Sequence, residues 1–255
     1  MEEIMEIGAQ LYTIRAYTQT KEDFRRSMKK IADMGYSCVQ LSAVGKDVTA
    51  QVAADICKEY GLKIVLTHSS IDRILYDTDQ LIAEHKLMGC KYIGLGAMPD
   101  KYRCSEWIGY FKEDFKEPVK KMKEAGMLFM YHNHAFEFEK VNGKYFMDEL
   151  LESFAPDEMG ITLDTYWLQT AGADVCQWIE KCKDRIPCVH LKDRAVVKGD
   201  TVMAPVGEGN MNFPAIMKAF ENSNCEYALV EQDTCREFPF ICLDKSLKYV
   251  RSLGY

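Results

Sequence analysis

Four short runs in the second half of the chain end in side chains able to bind a cation or move a proton. They are Tyr131-His132-Asn133-His134-Ala135-Phe136-Glu137, Leu163-Asp164-Thr165-Tyr166-Trp167, Val189-His190-Leu191-Lys192-Asp193 and Val230-Glu231-Gln232-Asp233. Three of the five histidines fall here. Ionisable groups at the end of an apolar run are costly to bury unless they are paired or hold a cation. Any one of them alone reads equally well as a strand-end cap or a surface ion pair. Four in succession point to a shared site. One ligand from each run, as Glu, Asp, His and Glu, suits a borderline-hard divalent ion, Mn²⁺ first, with Mg²⁺, Co²⁺ or Zn²⁺ also accepted.

The first half offers less. Gln10 and His68 are placed to hydrogen-bond substrate hydroxyls. Gly94 and Gly96 read as close-packing positions rather than a phosphate cradle.

Positioning such groups requires a regular scaffold, and the chain supplies one. Short β-rich runs at residues 7–13, 38–42, 64–68, 92–97, 128–134, 160–165, 187–192 and 227–232 alternate with longer amphipathic stretches. Several runs are almost continuously apolar, as parallel strands covered on both faces must be. Between them, Phe24, Met28, Ile31 and Met34 recur at three- and four-residue spacing, and residues 111–125 and 243–253 repeat the helical pattern. Gly35, Gly61, Gly89 and Gly126 each follow a helical stretch, where a left-handed C-terminal residue is wanted. Eight such units in 255 residues predict one (β/α)₈ TIM barrel spanning residues 1–255. The rival, an open doubly wound sheet, normally carries a glycine-rich phosphate loop after its first strand. Here that strand runs on as Gln10-Leu11-Tyr12-Thr13-Ile14-Arg15.

Composition narrows the function. Lys plus Arg total 32 against 39 Asp plus Glu, a net charge of −7, which counts against a general nucleic-acid binder. No apolar stretch approaches the roughly 20 residues of a membrane helix. The acidic start, Met1-Glu2-Glu3, is unlike a secretory signal. The ten cysteines are scattered, with no Cys-x-x-Cys, and read as reduced, small hydrophobes. A cytoplasmic protein acting on small molecules is the expectation.

In this order and spacing the four runs, together with Ala171-Gly172-Ala173-Asp174 and Pro205-Val206-Gly207-Glu208-Gly209, resemble the xylose isomerase-like TIM barrels of the sugar phosphate isomerase/epimerase group. The resemblance spans essentially the whole chain. It implies a divalent metal held by Glu137, Asp164, His190 and Glu231. The strand-5 ligand stays open, because Glu137 lies past the strand end whereas His132 and His134 lie within it; Glu137 is preferred. The resemblance also implies a small sugar or sugar derivative as substrate, and dimers or larger homo-oligomers.

A metal-bound keto-sugar has an acidified proton beside its carbonyl, and the ion stabilises the enediolate formed when a base removes it. Epimerisation needs a proton-transfer group on each face, which Glu137 and Glu231 supply in this reading. One departure matters: where ketose 3-epimerases of this group often carry a histidine three residues after the strand-6 aspartate, this chain has Trp167. An indole has no acid/base capacity, and it favours a bulkier substrate. The alternative is therefore a lyase that eliminates a β-substituent from a keto-sugar, keto-glycoside or keto-cyclitol, with His134 or His132 as base.

Other residues carry two readings. Lys192 and Arg194 bind a substrate oxyanion or phosphate, or else pair with Asp193 or Glu208. Glu208 sits near substrate or simply in a turn. Trp107 and Trp178 read as packing residues, and the lysines of residues 116–123 as a solvated helix face. An abasic-site endonuclease would need more metal ligands and a basic surface. A non-catalytic sugar-binding barrel is the third class, separable by metal analysis and solvent deuterium exchange.

Overall fold

The computed structural model describes residues 5–104 and 106–255. The acidic start at residues 1–4 lies outside them. Eight parallel strands close into a barrel: β1 (Glu6–Gln10), β2 (Cys38–Leu41), β3 (Lys63–Ser69), β4 (Tyr92–Leu95), β5 (Leu128–His132), β6 (Met159–Asp164), β7 (Cys188–Leu191) and β8 (Tyr227–Val230). Closure comes from β8 pairing with β1 in register Ala9↔Val230, which leaves the eight-stranded sheet without an edge and excludes the open-sheet alternative. The predicted runs overshoot where polar groups begin. Strand 1 stops at Gln10, whose side-chain oxygen accepts from Tyr12 N and starts a 3₁₀ turn over Leu11–Tyr17. Strand 5 stops at His132, two residues short of its predicted end.

The helices form for the expected reason. In Lys21–Met34, Phe24, Ser27, Met28 and Ile31 bury one face at three- and four-residue spacing. Thr20 caps its start by accepting from Asp23 N, and Gly35 ends it at φ 100°. Burying each large apolar side chain on such a face contributes roughly 1.5–3 kcal/mol. The lysine-bearing stretch lies in Ile108–Glu124, with Val119 and Met122 buried. Trp178 packs on Phe138 in the core, but Trp107 is 50% exposed beside Tyr110, so its packing role is not met. Seven of the ten cysteines are buried, as small hydrophobes should be. No helix among the described residues is long and apolar enough to cross a membrane.

Two hairpins interrupt the β/α rhythm. The larger pairs Asp193–Val197 with Asp200–Ala204 around Lys198 (φ 53°) and Gly199 (φ 91°). Two consecutive positive φ angles are the mark of a tight hairpin turn. Lys198-Gly199 between alternating segments was the sequence signal for it.

Strand alternation sets up the interior. Side chains two apart share a face, and the inward set at mid-barrel is apolar: Cys38, Leu66, Met130, Cys188 and Leu229 form one cluster with Val65 and Tyr92. Two residues further along the same strands come Gln40, His68, His132, His190 and Glu231. Asp164 joins them from β6 and Gln10 from β1.

Candidate metal centre and active site

His132, Asp164, His190 and Glu231 are all buried, and one ligand atom from each lies within 4.8 Å of the others. His132 Nε2 is 3.1 Å from Asp164 Oδ2. His190 Nδ1 is 2.9 Å from Glu231 Oε2 and 3.6 Å from Asp164 Oδ2.

The outer hydrogen bonds fix which nitrogens face inward. His132 Nδ1 lies 2.8 Å from Gly96 O, a pure acceptor, so Nδ1 donates outward and Nε2 turns inward to Asp164. His190 Nε2 likewise meets Gln40 Oε1 at 2.7 Å, which leaves Nδ1 to face the carboxylates. A ligand nitrogen whose partner nitrogen donates outward is the arrangement metal-binding imidazoles adopt. Among the buried polar atoms, His190 Nδ1 and Glu231 Oε2 have no hydrogen-bond partner. An imidazole nitrogen facing a carboxylate oxygen needs a cation or a proton between them, and the spacing of these four residues could accommodate a metal ion. The donor set of two imidazoles and two carboxylates suits a divalent first-row ion.

The remaining charges follow from burial and neighbours. Burial opposes ionisation of Asp164 and Glu231, but the Lys192 ammonium and the histidines outweigh it and hold both well below the usual carboxylate range. Burial also works against the charge on Lys192, yet Asp164, Glu231 and Asp233 keep it protonated. For His190, burial is outweighed by Glu231 and Asp164, which raise its affinity for a proton. Burial, with His132 beside it, holds His134 down at about 3, so that ring is neutral.

Glu137 is not in this group. Tyr131 precedes inward-facing His132 and therefore points out of the barrel wall, and its hydroxyl donates to Glu137 Oε1 at 2.6 Å. His134 N donates to the other oxygen at 2.8 Å. Fully buried, with its proton affinity raised by burial to about 7, Glu137 braces the turn after β5 behind the wall. His132, the side chain set second to it, stands with Asp164, His190 and Glu231 instead. The reason is the parity of β5, which points residue 132 inward and residue 131 outward.

A cleft of about 480 Å³ opens at the C-terminal mouth, lined by Gln10, Tyr12, His68, His132, His134, Lys192, Glu231 and Asp233 among others. His68 stands 5.2 Å from His132 and 5.6 Å from His190, ring to ring, and its Nε2 is buried without a partner. Gln10 is spent differently from its expected role: Nε2 donates to Glu231 Oε1 at 2.9 Å and Oε1 accepts from Tyr12 N. It orients Glu231, a candidate ligand. Trp167 is absent from the lining and backs His134 at 5.1 Å, so it shapes the pocket through that ring.

Glu208 also departs from the rim. It is exposed and pairs with Lys245 at 3.2 Å. Its loop is pulled aside by Asp193, which accepts from the backbone N–H groups of Gly207, Gly209 and Met211. A Cβ on Gly209 would lie 2.2 Å from Asp193 Oδ1, so only glycine admits this clasp. Lys192 pairs with Asp164, Glu231 and Asp233 rather than with Asp193 or Glu208. The residue missed in the sequence is Gln40; Asp233 ends its run there but has no role assigned from sequence. Gln40 was findable as the inward residue two beyond Cys38.

A closed eight-stranded barrel with a His, Asp, His, Glu cluster at its C-terminal mouth defines a class of metal-competent barrel proteins. More particularly, residues 28–234 match the xylose isomerase-like TIM barrel model, and the chain belongs to that family. It is similar to an inosose dehydratase of Clostridium perfringens, 26% identical over 147 residues, covering 51% of this chain and 49% of that protein. The chain thus spans about half the length of the curated relatives it matches. A sugar phosphate isomerase/epimerase from Parabacteroides distasonis superposes with TM-score 0.79 at 21% identity, covering 97% of this chain and 94% of that one. The probable 3-DHS dehydratase AsbF of Bacillus anthracis superposes with TM-score 0.76 at 14% identity, covering 97% and 99%. At these identities the structural likenesses show the fold alone.

Proposed function

We propose that this protein is a divalent-metal-dependent carbon–oxygen lyase acting on a cyclic keto-polyol or keto-sugar. The observation that carries the reading is the place of Glu137. Epimerisation by a carboxylate pair needs one group on each face of the carbon, and with Glu137 behind the wall Glu231 alone of that pair reaches the cleft. β-Elimination can proceed from one face. The similarity to an inosose dehydratase supports dehydration, and about 480 Å³ accommodates a six-membered ring. The isomerase/epimerase outcome is the second reading.

His132, Asp164, His190 and Glu231 would hold a divalent ion, Mn²⁺ in our reading, which would supply positive charge where negative charge develops on a substrate oxygen. The neutral His134 ring, buttressed by Trp167, takes the proton from the carbon next to the ketone. The electron pair moves onto the carbonyl oxygen, towards which the Lys192 ammonium donates. As that pair returns to form the carbon–carbon double bond, the bond to the β-hydroxyl breaks. The His134 imidazolium hands its proton to the departing oxygen, and water leaves. His68 faces the same space and hydrogen-bonds substrate hydroxyls.

The test is incubation of Mn²⁺-loaded protein with an inosose in deuterated buffer. The expected result is an ultraviolet-absorbing unsaturated product, lost in His134→Gln, with Glu137→Gln still binding Mn²⁺. Deuterium incorporation with an epimer and no unsaturated product would overturn elimination in favour of epimerisation.

A further inference from the structure

Lys192 lies two residues beyond His190, on the inward face, and is 1% exposed. Its Nζ is 3.3 Å from Asp164 Oδ2 and 3.2 Å from Glu231 Oε2. Those are the same two oxygens that face His132 Nε2 and His190 Nδ1. Nζ also donates to Asp233 Oδ1 at 2.8 Å. The ammonium therefore straddles two of the four candidate ligands and one carboxylate outside the ligand set.

A divalent ion drawing on those two oxygens cannot share them with an ammonium, because like charges repel strongly where water is excluded. Asp233 lies outside the ligand set and gives the ammonium somewhere to go. Asp233 keeps 22% of its side chain exposed at the cleft edge and is already bonded to Nζ, so it can retain the ammonium through a short swing. The Trp167 ring, 5.6 Å from Nζ, flanks the ammonium.

We infer that Lys192 is a tethered counter-ion with two positions: it bridges Asp164 and Glu231 when the site is metal-free, and metal entry swings it onto Asp233 and into the cleft. The inference rests on reading the four-residue cluster as a metal site. It makes Lys192 more than a substrate contact. The lysine screens the buried carboxylates until the ion arrives, and reaches a substrate oxygen only afterwards, so that metal loading arms the cleft.

Two measurements test it. In crystal structures of the wild-type protein stripped of metal and soaked in Mn²⁺, Nζ is expected within hydrogen-bonding distance of Asp164 and Glu231 in the first. In the second it should be out of their reach and on Asp233. In calorimetric titrations with Mn²⁺ alone, Lys192→Met is expected to bind at least tenfold more tightly than wild type. Its metal-free Tm should fall below wild type, with the gap closing at Mn²⁺ saturation. An Nζ that stays put beside bound Mn²⁺, or equal affinities, overturns the switch and leaves the metal site standing. No Mn²⁺ at the cluster in crystals or calorimetry overturns the metal site itself. The crystal pair needs no variant, so the test survives a Lys192→Met protein that fails to fold.

Discussion

Two layers of the barrel interior are built on the same strands with a two-residue offset. Leu229 lies beneath Glu231, Cys188 beneath His190 and Met130 beneath His132, and all six are at most 4% exposed. The lower layer is apolar and contributes roughly 1.5–3 kcal/mol for each large side chain kept from water. The upper layer concentrates buried imidazoles and carboxylates, whose desolvation is offset by their attraction for one another and for Lys192 rather than by apolar burial. Equal burial therefore signifies opposite things: apolar packing below, a candidate site above. A third case sharpens the contrast. His85 is as buried as the rim histidines, but both its nitrogens are engaged, with Thr67 Oγ1 at 2.8 Å and Leu81 O at 2.7 Å. It has no lone pair to offer and is structural.

The comparison breaks or holds on substitutions in each region. Glu231→Gln, which removes a candidate ligand, should abolish Mn²⁺ binding in calorimetry and product formation with it. Retention of both would return the upper layer to a structural role. Two residues below, Leu229→Ala should cost about 2–5 kcal/mol in urea unfolding while leaving Mn²⁺ affinity nearly unchanged. A large change in metal affinity there would show that the layers are not separable.

The structural histidine predicts a pH effect. Burial lowers His85 from 6.5 to about 4 in the folded protein. The unfolded chain takes up that proton first, so the stabilising contribution is complete above pH 6.5 and is lost as pH falls towards 4. The size is about 3 kcal/mol. Unfolding of His85→Gln across this range should lack that component, and an unaltered pH profile would refute the assignment. The smallest effect belongs to Glu208→Ala: within about 0.5 kcal/mol in stability, as for exposed ion pairs generally, and no change in turnover. A clear loss of turnover would bring Glu208 back to the substrate.

The order of elements was readable because periodicity and turn chemistry are local. Gly35, Gly61, Gly89 and Gly126 all adopt the positive φ expected of them. That Asp164, His190 and Glu231 meet was legible because each closes an apolar run, and strand alternation projects each inward. Glu137 was misread because sequence spacing after a strand does not say on which side of the wall the chain turns. Trp167 and Glu208 lie off the cleft lining for a similar reason. Their loops are steered by partners remote in sequence: Asp193 draws the loop of Glu208 aside across more than a dozen positions, and the His134 ring takes the face of Trp167.

The chain alone thus determined a barrel of eight strands and the strand ends at which chemistry collects, since hydrophobic alternation and helix capping act over a few residues. Only the closed structure decided that His132 rather than Glu137 completes the cluster, that Gln10 and Gln40 orient it, and that Lys192 lies across it. Those outcomes depend on distances between residues up to 221 positions apart, which are set when the strands close around a common axis.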